Sequence, residues 1–82
     1  MVRVEFTKEF RIIFSKIKDG LLRTKIKKQL SKIKDNPEIG KPMTNIRKRT
    51  RELHIKPFRL SYSYFKNEDK IILLDLYHKK EQ

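Results

Sequence analysis

The stretch 51-RELHIKPFRLSYSYF-65 contains two segments of alternating apolar and polar residues, which meet at Pro57. Strict alternation of this kind indicates a strand with one buried face, so the stretch predicts two strands, at 51–56 and 58–65. The polar side of these strands carries Glu52, His54, Lys56, Arg59, Ser61 and Ser63. That side is therefore either a solvated surface or a face that holds a substrate.

The residues after this stretch extend the same sheet. A polar turn at 66–69 suits a hairpin and leads into a last strand at 70–80. Residues 71–74 are apolar on both faces, which is expected of a central strand. The three strands are therefore predicted to form an antiparallel meander.

The residues before the stretch predict one strand and two helices. Residues 2–6 alternate as a strand with one buried face, and Thr7 stands where a helix N-cap belongs. Apolar stripes with helical spacing follow, first at Phe10, Ile13, Phe14 and Ile17, then at Leu22, Ile26, Leu30 and Ile33. These stripes predict two amphipathic helices, the second from about 21 to 35.

Short signals mark the ends of the two helices. Asp19-Gly20 is expected to end the first helix, with Gly20 in the left-handed position that glycine favours. Asn36-Pro37 is expected to stop the second helix. The short link predicts that the two helices pack as an antiparallel hairpin.

The order of these elements predicts an α+β fold, β-α-α-β-β-β, with the helix hairpin packed on one face of the sheet. The polar side of the strands would then form the open face. Residues 36–50 are predicted to be a long loop, and such loops are often functional or mobile. The loop and the strand after it carry a basic cluster, Arg47, Lys48, Arg49 and Arg51.

The charge balance is the strongest signal in the composition. The 82 residues include 22 Lys and Arg against 10 Asp and Glu, a net charge of +12. Solubility of a small domain requires a magnitude of only about 2–8, so we expect a polyanionic partner such as RNA or DNA, or an acidic protein. The competing explanation is general solubility with the Lys, Ile and Glu bias of a heat-loving organism.

Length and composition exclude several classes of protein. A chain of 82 residues corresponds to one domain, 1–82. Without cysteine there is no disulfide framework, thiolate nucleophile or Cys-based zinc site. No apolar run approaches the roughly 18–20 residues of a membrane span, and no signal-peptide pattern opens the chain. A cytoplasmic protein without membrane contact is therefore expected.

The chain has no metal-site spacing, Gly-rich phosphate loop or Ser-His-Asp set, and no cofactor is expected. RNA can nevertheless be cleaved without metal, because the 2′-hydroxyl attacks its own phosphate once a base removes its proton. Side chains of His, Lys and Tyr exchange protons, and Arg holds phosphate in a bidentate manner. The predicted open face offers these residue types, although solvated sheet faces often carry them too.

At this point the chain resembles the RelE/ParE superfamily of toxins from toxin–antitoxin systems. The resemblance covers essentially the whole chain and includes the opening strand and cationic helix hairpin. Its most specific segments are 49-RTREL-53, 55-IKP-57, 58-FRLSY-62, the turn at 67–69 and 74-LDLYHKK-80. The aromatic-Arg-Leu-x-Tyr strand, followed by a strand that ends in a basic His-Lys pair, is the most characteristic combination.

The resemblance implies a ribosome-dependent endoribonuclease that cuts messenger RNA without metal and so inhibits translation. By this likeness Arg59 stabilises the scissile phosphate, and Lys79 is the basic residue at the end of the last strand, with His78 beside it. The positions that match the family's preceding basic strand hold Glu52, His54 and Lys56. The family's far C-terminal tyrosine has no counterpart, since Tyr77 is the last tyrosine of the chain.

The predicted catalytic set is Arg59, Lys79, His78, His54 and Lys56, and the predicted RNA-binding set is Arg47, Lys48, Arg49, Arg51 and Lys80. The resemblance further implies three partners: the ribosome, messenger RNA and a cognate RelB-like antitoxin. That antitoxin would be acidic and partly disordered, which suits a strongly basic surface. Two alternatives stay open, a ParE-like toxin that inhibits DNA gyrase without nuclease activity and a simple basic nucleic-acid-binding module.

Overall fold

The computed structural model describes residues 2–43 and 50–78, which form five strands, two α-helices and one 3-10 turn. In chain order the elements are β1 (Arg3–Phe6), α1 (Lys8–Lys16), α2 (Gly20–Asp35), β2 (Lys41–Pro42), β3 (Thr50–Ile55), β4 (Phe58–Phe65), the 3-10 turn (Lys66–Glu68) and β5 (Lys70–His78). Each predicted helix and strand is present. The short strand β2 lies in the segment that was predicted to be a loop.

The strands form one mixed sheet in the order β1-β5-β4-β3-β2. As predicted, β3, β4 and β5 are antiparallel neighbours. β1 instead pairs parallel with β5, because the chain crosses over through the helices before it returns to the sheet. The predicted α+β class is confirmed, and β5 is a central strand between β1 and β4.

The core lies between the helices and one face of the sheet. Its buried residues are Phe10, Ile17, Ile26, Ile33, Ile55, Leu60, Tyr62, Ile71, Leu73 and Leu76. The first four belong to the helical segment and the other six to β3, β4 and β5, so the helices cover one sheet face, as predicted. Full burial of each large apolar side chain contributes about 1.5–3 kcal/mol. In the described part of the chain, no helix is long and apolar enough to cross a membrane.

The junction between the helices differs from the prediction at Gly20. This residue is the first of α2 and does not adopt a left-handed conformation. The reason is Asp19, whose carboxylate accepts hydrogen bonds from two N–H groups in the first turn of α2, at 2.9 and 3.3 Å. The end of α1 is closed by Arg23, whose guanidinium donates to the carbonyl oxygens of Phe14 (3.3 Å) and Ile17 (2.8 Å).

The segment before β3 is held to the helix side of the sheet by Tyr62 and Arg51. The Tyr62 hydroxyl donates to the carbonyl oxygen of Pro37 (2.9 Å) and accepts from the Gly40 N–H (2.8 Å). The Arg51 guanidinium donates to the carbonyl oxygens of Glu38 (2.9 Å) and Gly40 (2.8 Å). A Cβ on Gly40 would lie 2.6 Å from the Tyr62 hydroxyl oxygen, so this close approach requires glycine. We call Arg51, Tyr62 and Gly40 the loop anchor.

Burial raises the pKa of the Tyr62 phenol above its ordinary value of 10.0, and this effect exceeds the opposing ones of the Gly40 hydrogen bond and the Arg51 charge. The hydroxyl therefore stays protonated near neutral pH and can donate to the Pro37 carbonyl. Arg51, predicted to bind RNA, is thus engaged with backbone carbonyls on the helix side of the sheet.

Candidate functional site

The face of the sheet opposite the helices carries the polar residues that the alternation indicated. Across β3, β4 and β5 this polar face is formed by Thr50, Glu52, His54, Arg59, Ser61, Ser63, Asp75 and Tyr77. It is open only in part, because Glu52 (6% exposed), Ser61 (3%) and Ser63 (8%) are buried. The prediction of a fully open face is therefore wrong for these three positions.

One row of the polar face brings an imidazole, a guanidinium and a phenol together. His54 on β3 pairs with Arg59 on β4, and Arg59 pairs with Tyr77 on β5. Directly opposite residues share a face and have Cβ atoms about 4.5–5.5 Å apart. His54 is exposed, whereas Arg59 and Tyr77 are half-buried. The row therefore places two proton-exchanging groups on either side of a fixed positive charge.

Arg59 forms a buried ion pair with Glu52 from the next row. Its Nη1 donates to Glu52 Oε1 at 2.8 Å, and the two side chains are 18% and 6% exposed. Among the described residues, Glu52 Oε2 and Arg59 Nε are buried side-chain atoms without a hydrogen-bond partner. Such orphaned atoms are rare in buried networks, and they leave one acceptor and one donor of this ion pair with unused capacity.

A β-bulge in β5 decides which of its residues share the face of Arg59. Near the turn, Tyr62 pairs with Leu73, but the next pair is Ser61 with Asp75, so Leu74 is an extra residue. A bulge of this kind re-aims the side chains beyond it. If the pairing register of Tyr62 with Leu73 continued along the strands, Arg59 would pair with Leu76, and Tyr77 would lie on the helix side.

Sequence reasoning missed Tyr77 as a neighbour of Arg59, because the bulge is visible only in the burial of β5. Leu73 and Leu76 are both fully buried, at 0% and 1% exposure. Side chains in a regular strand alternate, so residues three apart cannot both face one core. The burial of both residues therefore reflects the bulge, whereas the sequence 73-LLDL-76 alone also fits a regular strand, with Leu74 and Leu76 two residues apart.

His78 was assigned, beside Lys79, to the catalytic set on the open face, but the structure places it on the other face of the sheet. His78 pairs with Phe58, whose side chain lies on the helix side of β4, and the two rings meet edge to face with centroids 5.8 Å apart. The same bulge that moves Tyr77 onto the polar face moves His78 off it.

The remaining predicted site residues are distributed as follows. Lys56 is exposed in the turn between β3 and β4, next to the row that holds Arg59. The predicted residues Arg47, Lys48, Arg49, Lys79 and Lys80 lie outside the described residues. Within 2–43 and 50–78, no group of three or more His, Cys, Asp or Glu side chains could hold a metal ion.

Comparison with protein families identifies a match over nearly the whole chain. The model of the ParE toxin of type II toxin–antitoxin systems, parDE, matches residues 2–82. A comparison with curated proteins finds no significant match.

Comparison with solved structures finds the same architecture in several toxins. The Escherichia coli RelBE toxin–antitoxin complex contains a chain with 15% identity and a TM-score of 0.82, and the match covers 100% of both chains. In the Mycobacterium tuberculosis RelBE2 complex the identity is 21%, the coverage 99% and 97%, and the TM-score 0.80. A metal-bound toxin from Helicobacter pylori has 28% identity, coverage of 99% and 98%, and a TM-score of 0.65.

Proposed function

The chain belongs to the ParE toxin family of type II toxin–antitoxin systems, and we propose that it acts as a metal-independent endoribonuclease on ribosome-bound messenger RNA. The membership confirms the RelE/ParE superfamily that the sequence resembles. The proposal concerns the activity by which this toxin inhibits its host cell, and it rests on the chemistry of the polar face.

The cross-strand row of His54, Arg59 and Tyr77 is the observation that supports this activity. Cleavage of RNA by its own 2′-hydroxyl needs a base, an acid and a cation near one phosphate. The row supplies these three groups on adjacent strands of a rigid sheet, and such a scaffold holds reacting groups in a constant geometry.

In the proposed reaction, the His54 imidazole accepts the proton of the 2′-hydroxyl, and the 2′-oxygen forms a bond to phosphorus. The Arg59 guanidinium stabilises the negative charge that develops on the phosphorane oxygens. The bond from phosphorus to the 5′-oxygen then breaks, and the Tyr77 phenol donates its proton to that oxygen. The products are a 2′,3′-cyclic phosphate and a 5′-hydroxyl end.

Glu52 has a positioning role in this proposal. Its Oε1 accepts a hydrogen bond from Arg59 Nη1 at 2.8 Å, so Glu52 orients the guanidinium between His54 and Tyr77. A half-buried arginine without this partner would lose a charge-assisted hydrogen bond and become less ordered. Among the described residues, Arg59 Nε has no hydrogen-bond partner, so Glu52 does not satisfy every donor of the guanidinium.

A cognate antitoxin is the second part of the proposal. The similar chains from E. coli and M. tuberculosis are parts of toxin–antitoxin complexes. The net charge of +12 suits an acidic, partly disordered antitoxin that folds on the toxin surface. The same charge would accelerate association with the phosphate array of ribosomal and messenger RNA.

The activity can be tested by adding the purified toxin to ribosomes that translate a defined message. We expect cleavage of the message within the ribosome, with a 2′,3′-cyclic phosphate on the upstream fragment. Arg59→Ala should lower the rate constant by about 10²–10³-fold, because it removes a transition-state charge contact.

Arg11→Ala is the matched control, because it removes one exposed cation from α1 without touching the polar face. It should cleave at nearly the wild-type rate. Intact messages with the wild-type toxin at saturating concentration would refute the nuclease proposal.

Inhibition of DNA gyrase without nuclease activity is the second candidate function. The observation that favours it is the buried Glu52 carboxylate, which neutralises the charge of Arg59 and competes with a phosphate for it. A supercoiling assay with purified gyrase distinguishes the two candidates. Inhibition at stoichiometric toxin, together with intact messages on ribosomes, would favour this second function.

A further inference from the structure

The extra residue Leu74 in β5 interrupts the regular ladder between β4 and β5. The pairing of β1 with β5 ends at Phe6 and Leu73, and α1 begins two residues later. The residue between β1 and α1 is Thr7, which therefore stands beside the bulge.

Thr7 contacts the carbonyl oxygens at the bulge through two groups, its N–H and its hydroxyl. Its N–H donates to the Leu73 carbonyl oxygen at 3.1 Å. Its hydroxyl lies within donating distance of the carbonyl oxygens of Leu73 (2.9 Å) and Leu74 (2.8 Å). The same hydroxyl oxygen accepts from the Phe10 N–H at 3.2 Å and so caps α1. One hydroxyl thus connects the start of α1 with the irregular part of β5.

We infer that Thr7 is a positioning residue for the polar face, because its hydroxyl stabilises the bulge that brings Tyr77 beside Arg59. The alternative register, without the bulge, pairs Arg59 with Leu76 and turns Tyr77 toward the helices. Burial of Leu76 also favours the bulge, and the Thr7 hydroxyl has one proton that it can donate to the Leu73 or Leu74 carbonyl oxygen there. The functional consequence rests on the proposed nuclease activity, whereas the register itself does not.

The two roles of the Thr7 hydroxyl can be separated chemically. Aspartate caps a helix about as well as threonine but cannot donate to the carbonyl groups of the bulge, so Thr7→Asp keeps only the cap. Thr7→Val removes both roles, and Thr7→Ser keeps both. Asp19→Ala is the matched control for a lost cap, because Asp19 caps α2 away from the bulge.

We expect Thr7→Asp and Thr7→Val to lower the single-turnover cleavage rate on the order of 10²-fold, the effect of a misplaced reacting group. Thr7→Ser should restore most of the rate, and Asp19→Ala should cleave like the wild type. In a Tyr77→Phe background, Thr7→Asp should cause little further loss, because both changes remove the same group from the site. The inference would be overturned if the double variant lost the product of the two single rate losses, or if Thr7→Asp cleaved at the wild-type rate.

The pairing register of β4 and β5 can also be measured independently of cleavage, from nuclear Overhauser effects between the two strands in isotope-labelled protein. The wild type should show cross-strand contacts between residues 59 and 77. In Thr7→Asp these contacts should weaken in favour of contacts between residues 59 and 76, and unchanged contacts would contradict the inference.

If the wild type cleaves no message, the nuclease proposal fails, and these contacts alone decide the role of Thr7. Should Thr7→Asp not fold, Thr7→Val is compared with Asp19→Ala in both measurements.

Discussion

Arg51 and Arg59 lie on neighbouring strands but on opposite faces of the sheet, and their surroundings differ in kind. On the helix side, Arg51 donates to two backbone carbonyl groups and lies 3.7 Å from the Glu38 carboxylate. On the polar face, Arg59 has one carboxylate partner, and its buried Nε has no partner among the described residues. Native structures satisfy nearly all buried polar atoms, so an exception is a feature to explain. The difference indicates that Arg51 stabilises a loop, whereas Arg59, which is less completely hydrogen-bonded, is the residue to which the proposed reaction assigns the phosphate.

The largest expected effects concern the neighbours of Arg59. His54→Ala and Tyr77→Phe should each lower the cleavage rate by about 10²–10⁴-fold, the range for a lost general base or acid. Single-turnover kinetics on ribosome-bound message measure this change. His78→Ala and Tyr64→Phe are the controls, since both residues lie on the helix side, and both should retain most of the rate. A loss with His78→Ala as large as that with His54→Ala would contradict the assignment of the two faces.

Arg51→Ala should act on stability instead of catalysis. Loss of a charge-assisted hydrogen bond to the loop costs about 1.5–3 kcal/mol of unfolding free energy, which urea denaturation measures. The cleavage rate of the folded fraction should stay close to that of the wild type. If this variant is as stable as the wild type but does not bind RNA, Arg51 belongs to the interface that its sequence context suggested.

Tyr62→Phe tests the loop anchor and its dependence on pH. The variant leaves the Gly40 N–H and the Pro37 carbonyl without the hydroxyl, at a cost of about 1–3 kcal/mol. Because the folded-state pKa of Tyr62 is raised above 10.0, its contribution is fully present below pH 10.0 and is lost as the pH rises further. Denaturation curves of the wild type should show this alkaline loss, and those of Tyr62→Phe should show less of it. Equal slopes for both proteins would argue against a buried, protonated phenol.

The smallest expected effect is that of Glu52→Gln. The amide oxygen can still accept from Arg59, but the charge of Arg59 is no longer neutralised. Binding of single-stranded RNA should therefore tighten, and its salt dependence should steepen by roughly 0.7 in log K against log salt, the value for one added phosphate contact. Fluorescence anisotropy at several salt concentrations measures this slope. Glu9→Gln, a change of the same charge in the exposed first turn of α1, should leave the slope unchanged.

The fold was largely predictable because its signals are local. The helical stripes around Phe10 and Ile26 and the alternation around Leu60 each predicted the element that the structure contains. Gly20 was assigned wrongly because Asp19 caps the following helix, and a short Asp-Gly pair can mark either boundary. β2 was missed because its two residues carry no periodicity, and they form a strand only by pairing with β3.

The candidate site was predictable in composition but not in arrangement. Alternation along the chain was enough to place Glu52, His54 and Arg59 on one side of two adjacent strands, because side chains in a strand alternate with period two. That Tyr77 joins them and His78 does not became apparent from the folded arrangement of β4 and β5. That outcome depends on the bulge at Leu74, whose position follows from the burial of Leu73 and Leu76 and from contact with Thr7 at the distant end of β1. Such register choices are made by contacts between residues far apart in the chain, so no local pattern could fix them alone.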